Sequence, residues 1–134
     1  MRGSFLLAFL LTIGPTAIES ARAERPVQKR ENADCVVTGK VMAVYLHDSE
    51  GYRQYIVEIR IEDVDKGDGL KKGDTFRAFC YQRKDGKGGL EFDTAGHSAV
   101  PKEGQRIKAY VNRERGHNEG VYPDWFDSAP AAKK

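Results

Sequence analysis

Apolar and polar positions alternate along the middle of the chain with a period of two. Between Arg53 and Val64 the order sets Tyr55, Val57, Ile59 and Ile61 on one side and Glu58, Arg60 and Glu62 on the other, which predicts a half-buried β-strand. The run before it, residues 35–48, is rich in β-branched and aromatic side chains and ends in turn residues from Asp48 to Gly51, so the two predict a long hairpin. Glycines and charges make residues 65–74 a loop. Residues 75–83 then give a third strand, with Phe76, Ala78 and Cys80 on one face and Arg77, Phe79 and Tyr81 on the other.

Glycines at 86, 88 and 89 break the pattern, residues 90–96 hold a possible short strand, and 97–105 read as a turn around Pro101 and Gly104. A last strand follows at 106–113, with Ile107, Ala109 and Val111 inward. No segment after residue 34 sustains an apolar repeat near 3.6, so little helix is expected. Cys35 shares a face with Val37, Gly39, Val41 and Ala43, and Cys80 with Phe76 and Ala78. This element order predicts an all-β fold: a small five-stranded Greek-key, OB-fold-like barrel with little helix. The aromatic stretch from Gly116 to Phe126 has neither period and is expected as a C-terminal flap over one end of the barrel.

The two ends of the chain set its organisation. Arg2, an apolar run from Phe5 to Ile13 and small residues at Ala21 and Ala23 have the layout of a signal peptide cleaved after Ala23. The organisation expected is signal peptide 1–23, flexible polar arm 24–34, one barrel domain 35–127 and disordered tail 128–134. The mature chain would be exported, periplasmic or secreted, with no membrane span. The whole chain carries a formal charge of +2, and without the leader 20 basic side chains face 19 acidic ones, a balance that argues against nucleic acid as partner. Two cysteines in an exported chain predict a Cys35–Cys80 disulfide, which would stabilise a small domain by about 3–5 kcal/mol.

The run of "GKVMAVY" (39–45), "YIVEIRIEDVDKG" (55–67), "KKGDTFRAFC" (71–80) and "PKEGQRIKAYV" (101–111) resembles exported OB-fold-type barrels, including the netrin-like module shared with tissue inhibitors of metalloproteinases. The resemblance covers Cys35 to Val111 and implies the fold. Inhibitors of that kind chelate a protease metal with the first cysteine of the mature chain. Here Cys35 lies well inside the chain, so that activity is not implied.

Chemistry leaves little trace in the pattern. Asp63, Asp65, Asp68 and Asp74 lie in one short stretch and are the candidate ligands for a hard cation. Yet Gly67 and Asp68 stand at the fifth and sixth positions of a calcium loop, strands flank it, and Lys66, Lys71 and Lys72 intervene, so the stretch reads as a solvated connection. His47, His97 and His117 each sit among turn residues, with no metal-site or catalytic spacing, and read as surface histidines. No cofactor is implied and no enzyme signature occurs. What remains is an outward face of interleaved basic and aromatic side chains: Arg60, Arg77, Phe79, Tyr81, Lys108 and Tyr110, extended by His117, Tyr122 and Trp125 of the flap. The expectation is a non-enzymatic binding module for a protein or carbohydrate partner. Its alternatives are a metal-binding protein or metal-dependent enzyme on the Asp63–Asp74 loop, and a structural subunit of an envelope assembly.

Overall fold

The long hairpin forms where the alternation is cleanest. Strand β1 (Cys35–Ser49) pairs antiparallel with β2 (Tyr52–Lys66) over their whole lengths, and only Glu50 and Gly51 separate them. Gly51 takes a positive φ of 81°, the conformation a two-residue hairpin turn demands. The structure, a computed structural model, describes residues 25–84, 96–114 and 116–131. The expected signal peptide, the glycines at 86, 88 and 89, and all but the last residue of the possible strand at 90–96 lie outside the described residues.

The other strands are β3 (Thr75–Arg83), β4 (Arg106–Glu114), β5 (His117–Gly120) and β6 (Phe126–Ser128), with one short 3-10 turn at Arg30–Asn32. Strand β3 pairs antiparallel with β2, and β5 lies parallel to β3 and antiparallel to β4. Residues 35–40 of β1 pair with β4, which closes the order β1-β2-β3-β5-β4 into a five-stranded barrel. Strand β6 is the additional one, lying on β4 beside β5. Fold class therefore agrees with the alternation of the sequence. Ser128, expected to open the tail, instead belongs to β6, and Ala129 donates its N–H to the Arg106 carbonyl at 2.9 Å.

The inward sets agree as well. Val37, Val41, Val57, Ile59, Ile61, Phe76, Ala78, Ile107, Ala109 and Val111 are all buried in one core. Gly39 faces the same way, and a Cβ there would come within 2.1 Å of the Arg60 carbonyl oxygen, so only glycine lets β1 curl this tightly against β2. One parity differs from the sequence reading. A register shift between Val41 and Ala43 leaves Met42 unpaired, so Val44 rather than Ala43 returns to the core side. Beyond that bulge β1 has lost β4, and the distal hairpin overhangs the barrel.

The cysteines require a correction. Both are buried on the inward face, as parity demands, yet both are free thiols and too far apart to join. Neither cysteine lies opposite the other: Cys35 pairs with Val111 on β4, which pairs with Gly120 on β5, while Cys80 stands beyond β5 on β3, opposite Tyr55. A shared interior is not contact. Apolar packing, not a covalent staple, holds this barrel.

Residues 25–34, expected as a flexible arm from their polar composition, lie along the outer side of β4 and β5. Gln28 donates its N–H to the Tyr122 carbonyl at 2.8 Å, and its side-chain oxygen accepts from the Tyr122 N–H at 3.0 Å. Arg25 anchors the start of the segment, Arg30 its middle, and Asp34, accepting the Arg113 N–H, its end.

Candidate functional site

Two separate groups of aromatic and basic side chains stand on the barrel where the sequence predicted one. The first is built on β2 and β3. Tyr45 lies opposite Ile56, and Ile56 opposite Phe79, so the three form one row across three strands on the outer face. Beside it, Tyr52 meets Tyr81 edge-on at 6.1 Å, and Phe79 meets the His117 ring edge-on at 5.6 Å. Between these rings runs an open apolar groove of about 290 Å³, lined by Ile56, Arg77, Ala78, Phe79, His117 and Asn118. A second hollow, about 280 Å³, adjoins it across Phe79 and is lined by Tyr52, Gln54 and Tyr81. Arg77 stands at the rim, its Nε 3.3 Å from the Glu58 carboxylate.

The exposure of this region decides its character. Tyr45 is 55% exposed, Ile56 45% and Tyr52 43%; with Met42 and Leu46 they are five of the six large hydrophobic residues that stand exposed among the described residues. All five belong to the distal hairpin. Tyr45, Tyr52 and Ile56 share the outer face, whereas Leu46, opposite Tyr55, is on the other; an exposed apolar surface such as the outer one, bordered by charge, is characteristic of interaction sites.

The second group lies on β4. Arg30 stands 4.7 Å from the Tyr110 ring centroid, and Lys108 lies 5.9 Å from the same ring while pairing with Asp65 at 3.0 Å. The Asp65 carboxylate holds the Lys108 ammonium above its usual pKa range. Lys108 and Tyr110 are therefore occupied by this chain's own charges, away from the groove. Arg60 is exposed four residues along β2 from Ile56, about 13 Å at the strand rise, and belongs to neither group.

The flap is divided: Trp125 and Tyr122 turn inward, while His117 and Asn118 line the groove. Trp125, predicted to bind ligand, is fully buried; its indole N–H donates to the Ala99 carbonyl at 3.2 Å and its ring packs on Gly120. A barrel of this size leaves an end to be filled, and the largest apolar side chain fills it. Tyr122 is also buried, near-parallel to Tyr81 at 6.4 Å. Of the nine residues predicted, Arg77, Phe79 and His117 meet at the groove, and Tyr81 lines the hollow that adjoins it.

Sequence reasoning missed His97. Read as a surface histidine, it is buried between β3 and β5, where those strands share a single backbone pair, Phe79 with Glu119. Its Nδ1 accepts the Tyr81 N–H at 3.1 Å and its Nε2 donates to the Gly120 carbonyl at 2.7 Å, replacing ladder bonds the backbone does not make. Burial pushes its pKa below the ordinary value, against the smaller opposing effect of these backbone bonds. Ile56, Tyr45 and Tyr52 were missed because exposure is a tertiary property; the alternation alone marks Ile56 as outward.

The metal reading finds no support in the geometry. Among the described residues no three of the histidines, cysteines, aspartates and glutamates gather around a common point. Asp74 accepts the Lys71 N–H at 3.1 Å, Asp63 accepts the Val64 N–H at 3.1 Å, and Asp65 is held by Lys108. His47 and His117 stay on the surface, as expected. Comparison with known proteins adds no assignment: no family model, no curated protein and no solved structure matches this chain.

Proposed function

We propose that this protein is an exported, non-enzymatic binding module whose outer β1–β2–β3 face docks an apolar side chain of a protein partner. The observation that carries the reading is the row Tyr45–Ile56–Phe79, exposed across three strands and continuous with the apolar groove beside Phe79. OB-type barrels use the corresponding strand face for ligands, which is a fold-level analogy. The lining favours protein over carbohydrate. A sugar site needs several hydrogen-bonding groups around its ring, whereas Ile56, Ala78 and Phe79 offer an aliphatic and aromatic floor with Arg77 and Asn118 at its border.

Selection from a random peptide library on the immobilised protein tests this directly. Enriched peptides are expected to share a large apolar residue and to lose at least ten-fold in affinity against Ile56→Asp, a change on an exposed strand face that leaves the fold intact by circular dichroism. Peptides that bind the Ile56→Asp protein equally well, or a preference for glycans on an array, would overturn the reading.

A further inference from the structure

The N-terminal arm is bound like a ligand. Pro26, Val27 and Lys29 are exposed, and residues 25–29 form no helix or strand. The segment is held by the Gln28 backbone bond to Tyr122 and by the side chains of Arg25, Gln28 and Arg30, each in polar or ring contact with the barrel. Arg25 and Arg30 are about equally enclosed, their side chains 28% and 27% exposed, but Arg25 alone lies against two rings. Its guanidinium lies 5.1 Å from the Tyr122 ring centroid and 5.9 Å from that of Tyr81, two rings inclined by only 12°. It donates to the Tyr81 hydroxyl at 3.2 Å and pairs with the Glu119 carboxylate, with Glu114 at 3.8 Å beyond. Burial opposes the charge, but Glu119 and Tyr81 outweigh it and raise the arginine's pKa further.

The receptor half of this contact belongs to the barrel, not to the arm. Tyr81 comes from β3, Glu119 from β5, Glu114 from β4, and Tyr122 from the connection after β5. The Glu119 side chain is only 9% exposed, so without a cation the barrel would hold a nearly buried carboxylate, with the His117 ring 3.7 Å away. Two tyrosine faces with a carboxylate make a cage suited to a planar cation, by ring attraction and a forked hydrogen bond together.

We infer that the Tyr81–Tyr122–Glu119 cage is a binding site for an arginine side chain presented on an extended peptide, and that Arg25 of this chain is its resident, displaceable ligand. The site does not depend on what the neighbouring groove binds. Because the arm is tethered beside its own site, it competes at an effective concentration on the order of millimolar. An incoming arginine segment must outbid it, and the arm thereby sets a threshold for binding.

The test uses the full mature chain carrying Arg25→Ala, titrated with N-acetyl-arginine methylamide and followed by amide shifts at Tyr81, Glu119 and Tyr122. The variant is expected to bind at least ten-fold more tightly than the unaltered chain and to gain thermal stability on binding. The uncharged citrulline analogue should do neither, and Glu119→Gln in the same background should abolish the response. Equal binding of the arginine and citrulline compounds, or none by a folded Arg25→Ala protein, would overturn the proposal. Should Arg25→Ala fail to fold, Arg25→Lys keeps a charge without the planar fork and should still admit the arginine compound. Failure of that protein to bind would overturn the proposal equally.

Discussion

At the residue scale the two cysteines and Trp125 carry the clearest consequences. Burial pushes the Cys80 thiol up to about 12 and also raises that of Cys35, so neither is a thiolate at neutral pH. Both should resist Ellman's reagent at pH 8 in the native protein and both should react once it is unfolded; two thiols titrating at native pH would contradict the packing described. Trp125→Ala removes the plug and its bond to Ala99, and is expected to cost about 3–5 kcal/mol in urea unfolding. Gly120→Ala acts on the same contact from the other side. Its Cβ would lie 2.6 Å from the indole Cγ, an overpacking worth about 1–3 kcal/mol, while an unchanged midpoint would show that the ring has room to move.

At the scale of elements, the closure of the barrel between β3 and β5 is supported by a buried histidine side chain, beside the Phe79–Glu119 pair and the Asn118 bond to the Arg77 carbonyl. The folded-state pKa of His97 is depressed, so the unfolded chain binds the extra proton first as pH falls through its ordinary value of about 6.5. Stability from His97 is therefore complete above about pH 6.5 and is lost progressively below it, as the neutral ring's acceptor for the Tyr81 N–H disappears. Urea unfolding from pH 7.5 to 5 should show that decline, and His97→Gln should be less stable at pH 7.5 with a flatter profile. A slope unaffected by the substitution would assign the decline to other groups. Strands β1 to β4 were legible in the sequence because each buries one face, and a period of two is the direct trace of that burial. Strands β5 and β6 were not, since "HNEG" and "FDS" are short and are held by neighbours rather than by alternation. The bulge at Met42 was equally hidden, because a single unpaired residue changes parity without changing composition. The cysteines show the same limit: the sequence told which way they face, and only the barrel's curl determines how far apart they lie.

Taken as a whole molecule, the barrel has one outer face covered by its own arm and another left open. Arg25 lies over Tyr122 and Tyr81 and Arg30 over Tyr110, while Tyr45, Ile56 and Phe79 on the β1–β2–β3 face have no such cover among the described residues. The basic-aromatic surface expected from the sequence thus divides into a self-occupied part and an available part. The available part is the more apolar, and it overhangs the closed barrel on the distal hairpin, where a partner can approach from the side. Amide shifts of the labelled protein on titration with a library-selected peptide give the most direct measure of that assignment. The largest changes are predicted at Tyr52, Gln54, Ile56, Arg77, Phe79 and Asn118, with little movement in the 67–74 loop. Changes centred on that loop, or on the turn joining β4 and β5 with the groove strands silent, would contradict it.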